Sequence, residues 1–515
     1  MPCFPKMHFK LPISCSVLRC NFYFKRKEIY TPFFLFPLKE ERKCLWVKEM
    51  SRQNLTISKY SNVCKNHFQE SDILREIWPT RVDELLAMAS SSGEKLDAII
   101  FGATGYTGKV AVYEIVKLAK EKNITWGIAG RSRNKLDAVL KEVEEKTGED
   151  LSQIPVGVAD INDPSSLQQM ASQARVIVNC VGPYKLYGEA MVSACIASGA
   201  HHVDVSGEPE YMEKMQLEYH KAAEEKGVYI VSACGFDSIP ADLGTLFMME
   251  KFEGDLNSVE TYLQSKAGPK GISSHYGSWE SAIYGVGNSD ILKSLRQKLF
   301  PVRLPIFTPK LKRRLPVHKR ESIEGWCVPF PGADRSVIQR SQRHFYEHDK
   351  LRPVQVRAYL VMKSIFTVSA VTFVVAIFFI LSKFKFGRNL LLKYPGFFSC
   401  GYVSHEGPSE EDRKKVYFSI TLFGEGWKEK LAEPTDQHDL PPNKQMVVKV
   451  SGNDPGYGLT SRCLLLTAIT ILKESNKMPG RGGVLPPAAA FAKTSLLEEL
   501  EKHGMKFEVV SATEK

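Results

Sequence analysis

Apolar and polar positions fall into three regimes along the chain. From residue 96 onward, short apolar runs alternate with stretches that carry apolar residues on one helical face. Leu96 to Phe101 is apolar except for Asp97 and runs into Gly102, Gly105 and Gly108. Val110, Val112, Ile115, Val116 and Leu118 then give Lys109 to Lys122 a mainly apolar helical face. Further runs predict strands at Ile124–Ala129, Val156–Asp160, Val176–Val181, His202–Glu208 (strand and loop) and Val228–Ala233, with a small-residue helix over Gly188–Ser198. A second regime alternates more strictly and predicts strands at Val259–Gln264, Tyr417–Gly424 and Met446–Ser451. Between them, the basic, proline-rich stretch Arg303–Arg320 reads as a surface loop. The third regime is a single stretch, Ser364 to Ser382, with nineteen residues and no charge. Cys463–Leu472 reads as a core helix, followed by apolar Leu485–Phe491.

Strand, glycine turn and helix in that order form the phosphate-binding start of a Rossmann domain. A tight turn requires a residue without Cβ, a pyrophosphate requires close backbone approach, and a helix N-terminus offers free N–H groups to an anion. The spacing here is G-x-x-G-x-x-G. The alternative is an ordinary glycine turn of an α/β protein. Candidate cofactor contacts in the loop are Gly102, Thr104, Gly105, Tyr106, Thr107 and Gly108. The second strand ends at Arg131, Ser132 and Arg133, where NAD-preferring domains usually place an acid. A guanidinium suits a 2′-phosphate, so NADP(H) is expected, unless the two arginines only cap a helix. Asp160 is placed to reach the adenine edge. Asn179, Val181, Gly182 and Pro183 end the fourth strand, where the nicotinamide would sit. Tyr184, His202, Asp204, Ser206, Glu208, Cys234 and Asp237 are catalytic candidates at strand ends, and the sequence singles out none.

Composition changes the picture at the amino terminus. The 515 residues carry a net charge of +11, and residues 1–95 alone hold 16 Lys/Arg against 10 Asp/Glu, which suggests an anionic partner. No continuous apolar signal segment is evident, so the eleven cysteines read as reduced thiols except where spacing suggests a metal. Cys15, Cys20, Cys64 and His67 form C-x4-C-x43-C-x2-H, two short-spaced donor pairs able to complete a tetrahedral zinc site. With Phe36-Pro37, Trp46 and the words around Cys64 and Phe68, residues 15–80 resemble a THAP-type zinc finger. The resemblance implies these four ligands, a small core of Trp46, Phe68, Pro37 and Pro79, and DNA as partner. Loose candidate contacts are Lys25, Arg26, Lys27, Arg42, Lys43, Lys48 and Arg52. Two features depart from the family: fourteen residues precede Cys15, and the closing motif survives only as Trp78-Pro79-Thr80.

From residue 96 onward the words GATGYTG, AGRS, NCVGPY, HHVDVSGE, CGFDSIPADLG, GYGLT and GGVLPPAAAF resemble the saccharopine dehydrogenase-like oxidoreductases, in their membrane-associated animal branch. That implies carboxyl-terminal elements that pack back onto the dinucleotide domain. As a helix, Ser364–Ser382 would be about 28 Å long, close to the roughly 30 Å of bilayer hydrocarbon. A single crossing would strand residues 387–515 beyond the membrane. Insertion into one leaflet or a lipid-droplet monolayer is therefore favoured, as a re-entrant hairpin with Phe384–Leu392 because the segment has no polar face.

The expected fold class is α/β: a Rossmann dinucleotide-binding domain, an α+β second domain with a membrane-associated hydrophobic segment, and a small zinc-bound amino-terminal domain. The expected limits are 1–86 for the THAP-like module, 87–95 for a linker and 96–245 for the NADP-binding domain. Residues 246–460 form the substrate domain containing segment 364–382, and 461–515 the carboxyl-terminal helices. The expected function is an NADP-linked oxidoreductase with a hydrophobic or lipid substrate, at a lipid droplet or at the cytoplasmic face of an intracellular membrane. Saccharopine itself is disfavoured, since an anchor adds nothing for a soluble substrate. A non-catalytic dinucleotide-binding scaffold and a nuclear DNA-binding protein are the alternatives. Homodimerisation is left open.

Overall fold

The computed structural model describes the strands Asn21–Arg26 and Ile29–Phe34, then residues 95–286, 289–305 and 307–514. The chain divides into two compact units, Met1–Glu94 and Lys95–Lys515. In the first, the two described strands pair antiparallel, with Arg26 opposite Ile29. Cys15, Cys20, Cys64 and His67 lie outside the described residues.

The second unit opens on a parallel sheet. Its elements are β1 (Leu96–Phe101), α1 (Tyr106–Lys122), β2 (Trp126–Gly130), α2 (Arg133–Thr147), β3 (Val156–Val158), α3 (Pro164–Ser172), β4 (Ala174–Asn179), α4 (Tyr184–Ser198), β5 (His201–Asp204), α5 (Pro209–Lys226) and β6 (Tyr229–Val231). The apolar runs form strands because helices cover both faces: Ala98 to Phe101 are all buried. Several limits differ from the sequence reading. Ile124 and Thr125 precede β2, Asp160 lies beyond β3, and Cys180 and Val181 lie beyond β4. α1 and α4 start earlier than expected, at Tyr106 and Tyr184. In both cases the helix begins directly after the turn residue, since the turn already sets the first helical φ and ψ.

α6 (Ile239–Lys251) leads into the second sheet, which comprises β7 (Asp255–Lys266), β9 (His318–Arg320), β10 (Ile323–Pro329), β11 (Gln355–Met362), β13 (Tyr417–Trp427), β14 (Lys444–Asn453) and β16 (Met505–Glu514). The remaining elements used below are the two-residue β8 (Ser274–His275), α7 (Tyr276–Val286), α8 (Ser289–Leu299), α9 (Asp334–His348), α10 (Ile365–Ser382), α11 (Lys385–Lys393), β12 (Val403–Ser404), α12 (Thr460–Glu474) and β15 (Gly483–Leu485). The second sheet runs β9-β10-β11-β7-β13-β14-β16, antiparallel except for β11 with β7. Part of the basic stretch Arg303–Arg320 is therefore strand, not loop. Glu260 on β7 holds it down by accepting hydrogen bonds from Arg314 Nε (2.6 Å) and Arg320 Nη1 (2.6 Å).

The carboxyl-terminal segment also differs from the expected set of helices. α12 packs on α1, β4 and β5, and β15 pairs with β6, so the parallel sheet reads β15-β6-β5-β4-β1-β2-β3. β16, however, joins β14 in the other sheet. α6 lies against β13 and β14, where Gly244 permits close approach: a Cβ there would fall 2.8 Å from Val450 Cγ2.

Candidate active site and apolar hairpin

The chain crosses from β3 back to β4 on the other side of β1, which places a topological switch point between β1 and β4. Open α/β sheets bind ligands at the carboxyl ends of the strands at this point. Gly102 leaves β1 at φ +86°, where a Cβ would collide with Val181 Cγ2 at 2.6 Å. Gly105 is the N-cap of α1 with no side-chain capping bond, and no acid lies in the first turn. A Cβ on Gly108 would sit 2.1 Å from the Gly102 carbonyl oxygen, so the glycine sets the helix-to-strand distance. The loop is a cradle that side chains would fill, and the uncapped N–H groups of α1 suit a pyrophosphate.

Arg131 follows β2, is exposed, and forms no ion pair among the described residues. Arg133 sits at the start of α2 and spends its Nε on Asp137 Oδ1 at 2.9 Å. Ser132, the N-cap of α2, makes no capping bond with its side chain. Arg131 and Ser132 are thus available to a 2′-phosphate, whereas Arg133 is engaged within its helix. Asp160 Oδ1 accepts the Asn162 backbone N–H at 2.9 Å, closing a local turn beside β3.

At the opposite end, Asn179 is fully buried; its Oδ1 accepts the Val181 N–H at 3.0 Å and its Nδ2 lies 3.3 Å from His202 Nε2. This fixes the course of Val181, Gly182 and Pro183. Four of the catalytic candidates prove to be tied up in the interior. Asp204 accepts hydrogen bonds from Ser206 N (2.9 Å), Ser232 Oγ (2.9 Å) and Tyr211 Oη (3.0 Å), and burial pushes its carboxyl up to about 6. Burial pushes His202 down to about 3, so its imidazole is neutral. The Tyr184 hydroxyl donates to the Asn179 carbonyl at 3.0 Å. Glu208 accepts the N–H groups of Tyr184 (3.0 Å) and Lys185 (2.8 Å), so a carboxylate of the chain itself already occupies the N-terminus of α4. Ser206 and Cys234 are also buried, and burial pushes the Cys234 thiol well above its usual range. These residues build the floor of the cleft.

Asp237 is different. The loop after β6 carries it against the loop after β5, where a Cβ on Gly207 would lie 3.0 Å from its Oδ2. A Cβ on Gly332 would lie 3.1 Å from its Oδ1, so the segment leading into α9 closes the other side. Asp334, in the first turn of α9, is buried, and its Oδ1 has no hydrogen-bond partner among the described residues. Burial raises Asp237 to about 6, and burial together with the Asp237 charge raises Asp334 further. Two carboxyls that cannot both ionise easily suit proton transfer. Sequence reasoning named Asp237 and missed Asp334, which no motif marks.

A strap from the second sheet's side crosses the glycine loop. The Tyr106 hydroxyl donates to the Pro408 carbonyl. Its ring stacks on His275 at 5.1 Å and meets Tyr457 edge-on at 4.5 Å. Tyr457, from the GYGLT word, accepts the His275 N–H at 2.7 Å. β8 and β12 pair beside it.

One helix among the described residues, α10, is long and apolar enough to cross a membrane. β11, directly before α10, pairs with one edge of β7, so the start of the α10–α11 hairpin is held by the second sheet. β12 and two short helices separate the hairpin from β13, which pairs with the other edge of β7. α7 stands between hairpin and cleft. Trp279 packs on Phe378 at 4.8 Å and donates to the Leu391 carbonyl at 3.0 Å. Two residues later, Ser281 hydrogen-bonds Glu208, and a Cβ on Gly182 would lie 3.2 Å from its Oγ.

Residues 98–231 match the saccharopine dehydrogenase NADP binding domain, and residues 15–91 match the THAP domain. The chain is 41% identical over 422 residues to the human saccharopine dehydrogenase-like oxidoreductase, covering 81% of this chain and 97% of the relative. It is 39% identical over 422 residues to a Caenorhabditis elegans lipid droplet localized protein, covering 81% and 99%. To an Arabidopsis thaliana protein named as a probable mitochondrial saccharopine dehydrogenase-like oxidoreductase it is 33% identical over 442 residues, covering 81% and 96%. With the glycine cradle at the switch point of its parallel sheet, the chain belongs to the saccharopine dehydrogenase-like oxidoreductases, and carries an NADP-binding domain behind an amino-terminal THAP domain.

Proposed function

We propose that the protein is an NADPH-linked reductase that works at a lipid surface on an apolar, lipid-derived substrate. The observation that carries this reading is α7, one helix that touches both the apolar hairpin through Trp279 and the floor of the cleft through Ser281. A substrate held by its acyl chains in a lipid layer would meet the cleft beside the hairpin. The lipid-droplet name of the worm relative favours a droplet or another membrane face over the aqueous phase, and the plant relative's name adds the mitochondrion as a second location.

The cofactor, when bound, supplies a hydride to an unsaturated carbon. The glycine loop would hold its pyrophosphate, Arg131 and Ser132 its 2′-phosphate, and Val181, Gly182 and Pro183 its nicotinamide end. Asp237, with Asp334 behind it, would give the matching proton to the substrate atom next to the carbon reduced. In the amino-terminal unit, Cys15, Cys20, Cys64 and His67 would bind zinc, and the THAP domain supports DNA as a partner of that unit. The non-catalytic scaffold predicts the same nucleotide and lipid binding without turnover.

The test is a titration of the protein with NADPH and NADH, followed by tryptophan fluorescence, and repeated with Arg131→Ala. NADPH should bind more tightly, and the variant should lose about tenfold for NADPH and little for NADH, as expected for one charge-assisted contact. Turnover of lipid enones or imines then separates reductase from scaffold. Absence of binding by either nucleotide would sink the redox reading.

A further inference from the structure

Residues 291–400 carry 21 Lys/Arg against 5 Asp/Glu, a local net charge of +16 in a chain whose total is +11. Part of it is spent elsewhere in the fold, Arg296 on Glu213 and Arg314 and Arg320 on Glu260. Another part is a belt of lysines at the two ends of α10. Lys363 stands just before the helix, Lys383 and Lys385 just after it, and Lys393 at the end of α11, all exposed. Lys319, on the neighbouring strand β9, lies over the Trp326 ring at 4.7 Å. None of these lysines forms an ion pair with an acid among the described residues.

The orientation of α10 gives the belt a meaning. Phe366, Phe373 and Ile380, spaced two turns apart, are 84%, 68% and 61% exposed. Val368 and Ser382, on the opposite face, are buried. The helix touches α7, β10 and β11, and its most exposed apolar side chains form a stripe of about 21 Å, with Ile365, Val371 and Phe379 exposed to a lesser degree beside it. Phe384, Phe386 and Phe397 extend the exposed apolar surface beyond the helix. Arg388 does not belong to the belt; its Nη1 donates to the Ser382 carbonyl at 3.0 Å and closes the hairpin.

Resting on the lipid-surface reading above, we infer that α10 docks flat on an anionic phospholipid surface, with the stripe Phe366–Phe373–Ile380 submerged and Lys363, Lys383, Lys385 and Lys393 level with the headgroups. A helix standing upright would separate Lys363 from Lys383 and Lys385 by the whole hydrocarbon of a bilayer, or leave the latter two in the oil of a droplet; a flat one leaves lysines at both ends beside phosphates and carboxylates of one surface. Neutral oil or a zwitterionic surface satisfies the stripe but leaves the belt without counter-charge.

The experiment is co-flotation of the full chain with phosphatidylcholine vesicles and with vesicles that also contain phosphatidylserine. Binding should favour the anionic vesicles at least about tenfold at low salt, and the preference should shrink near 0.15 M salt, where screening acts over about 8 Å. Lys383→Glu with Lys385→Glu and Lys393→Glu should abolish the preference, since each lysine at such a surface contributes about fivefold. NADPH affinity reports that this variant is folded. Equal binding to both vesicles, indifferent to salt and to charge reversal, overturns the anionic inference and leaves the lipid-surface reading intact. Binding to neither vesicle overturns both.

Discussion

In the proposed dinucleotide site, Gly108 and Arg131 would act in opposite ways. Gly108 acts by lacking a side chain: its Cα faces the Gly102 carbonyl so closely that any Cβ would overlap it. Arg131 acts by lacking a partner, in contrast to Arg133 on its ion pair with Asp137. The buried pair His202 and Asp204 shows burial acting with opposite signs. Asp204 is raised from 3.8 to about 6, so the folded state holds its proton more tightly, and its contribution to stability falls as pH rises from about 4 to 6. His202 is lowered from 6.5 to about 3, so its contribution rises with pH through the same window. The two slopes oppose each other in the native protein. Asp204→Asn should make urea stability climb more steeply between pH 4 and 6, and His202→Gln should make it climb less or fall. Parallel profiles for both variants would contradict this account.

At the scale of elements, the hairpin α10–α11 has the least claim on the core. A large apolar side chain left in water forgoes about 1.5–3 kcal/mol of burial free energy. Phe366, Phe373, Ile380, Phe384, Phe386 and Phe397 are 61–84% exposed, an apolar surface of the kind that marks an interaction site. Because β11 and β13 already flank β7, the sheet closes without the hairpin. Replacing residues 364–393 by a glycine–serine linker should therefore abolish vesicle flotation while NADPH affinity stays within about threefold. A matching loss of NADPH binding would mean that α7 needs Trp279's contacts to Phe378 and Leu391 to hold the cleft floor.

At the scale of the molecule the chain forms two compact units, and the second contains both seven-stranded sheets, the cleft and the hairpin. If Cys15, Cys20, Cys64 and His67 bind zinc, the full chain should carry one equivalent of the metal. Cys64→Ala should lose it, together with salt-sensitive DNA binding, and leave NADPH affinity unchanged. Zinc content unaffected by the substitution would remove these ligands from consideration.

The sequence by itself determined what neighbouring residues decide among themselves. Leu96–Phe101 followed by three spaced glycines is readable because turn geometry and helix start are local, and so is the arginine pair that takes the place of an acid. The uncharged nineteen-residue stretch likewise announces apolar surroundings. Tertiary structure decided what distant segments do to each other. Only pairing across the sheets shows that β15 extends one sheet and β16 the other, or that β11 and β13 take opposite edges of β7. Only packing places Asp334 behind Asp237, and sets Glu208 on the N-terminus of α4, which removes it from the catalytic candidates. Only packing against α7, β10 and β11 decides that Phe366, Phe373 and Ile380 are the most exposed side chains of α10. The physical reason is the same in each case: hydropathy records how apolar a side chain is, and only the fold determines whether protein, water or lipid lies against it.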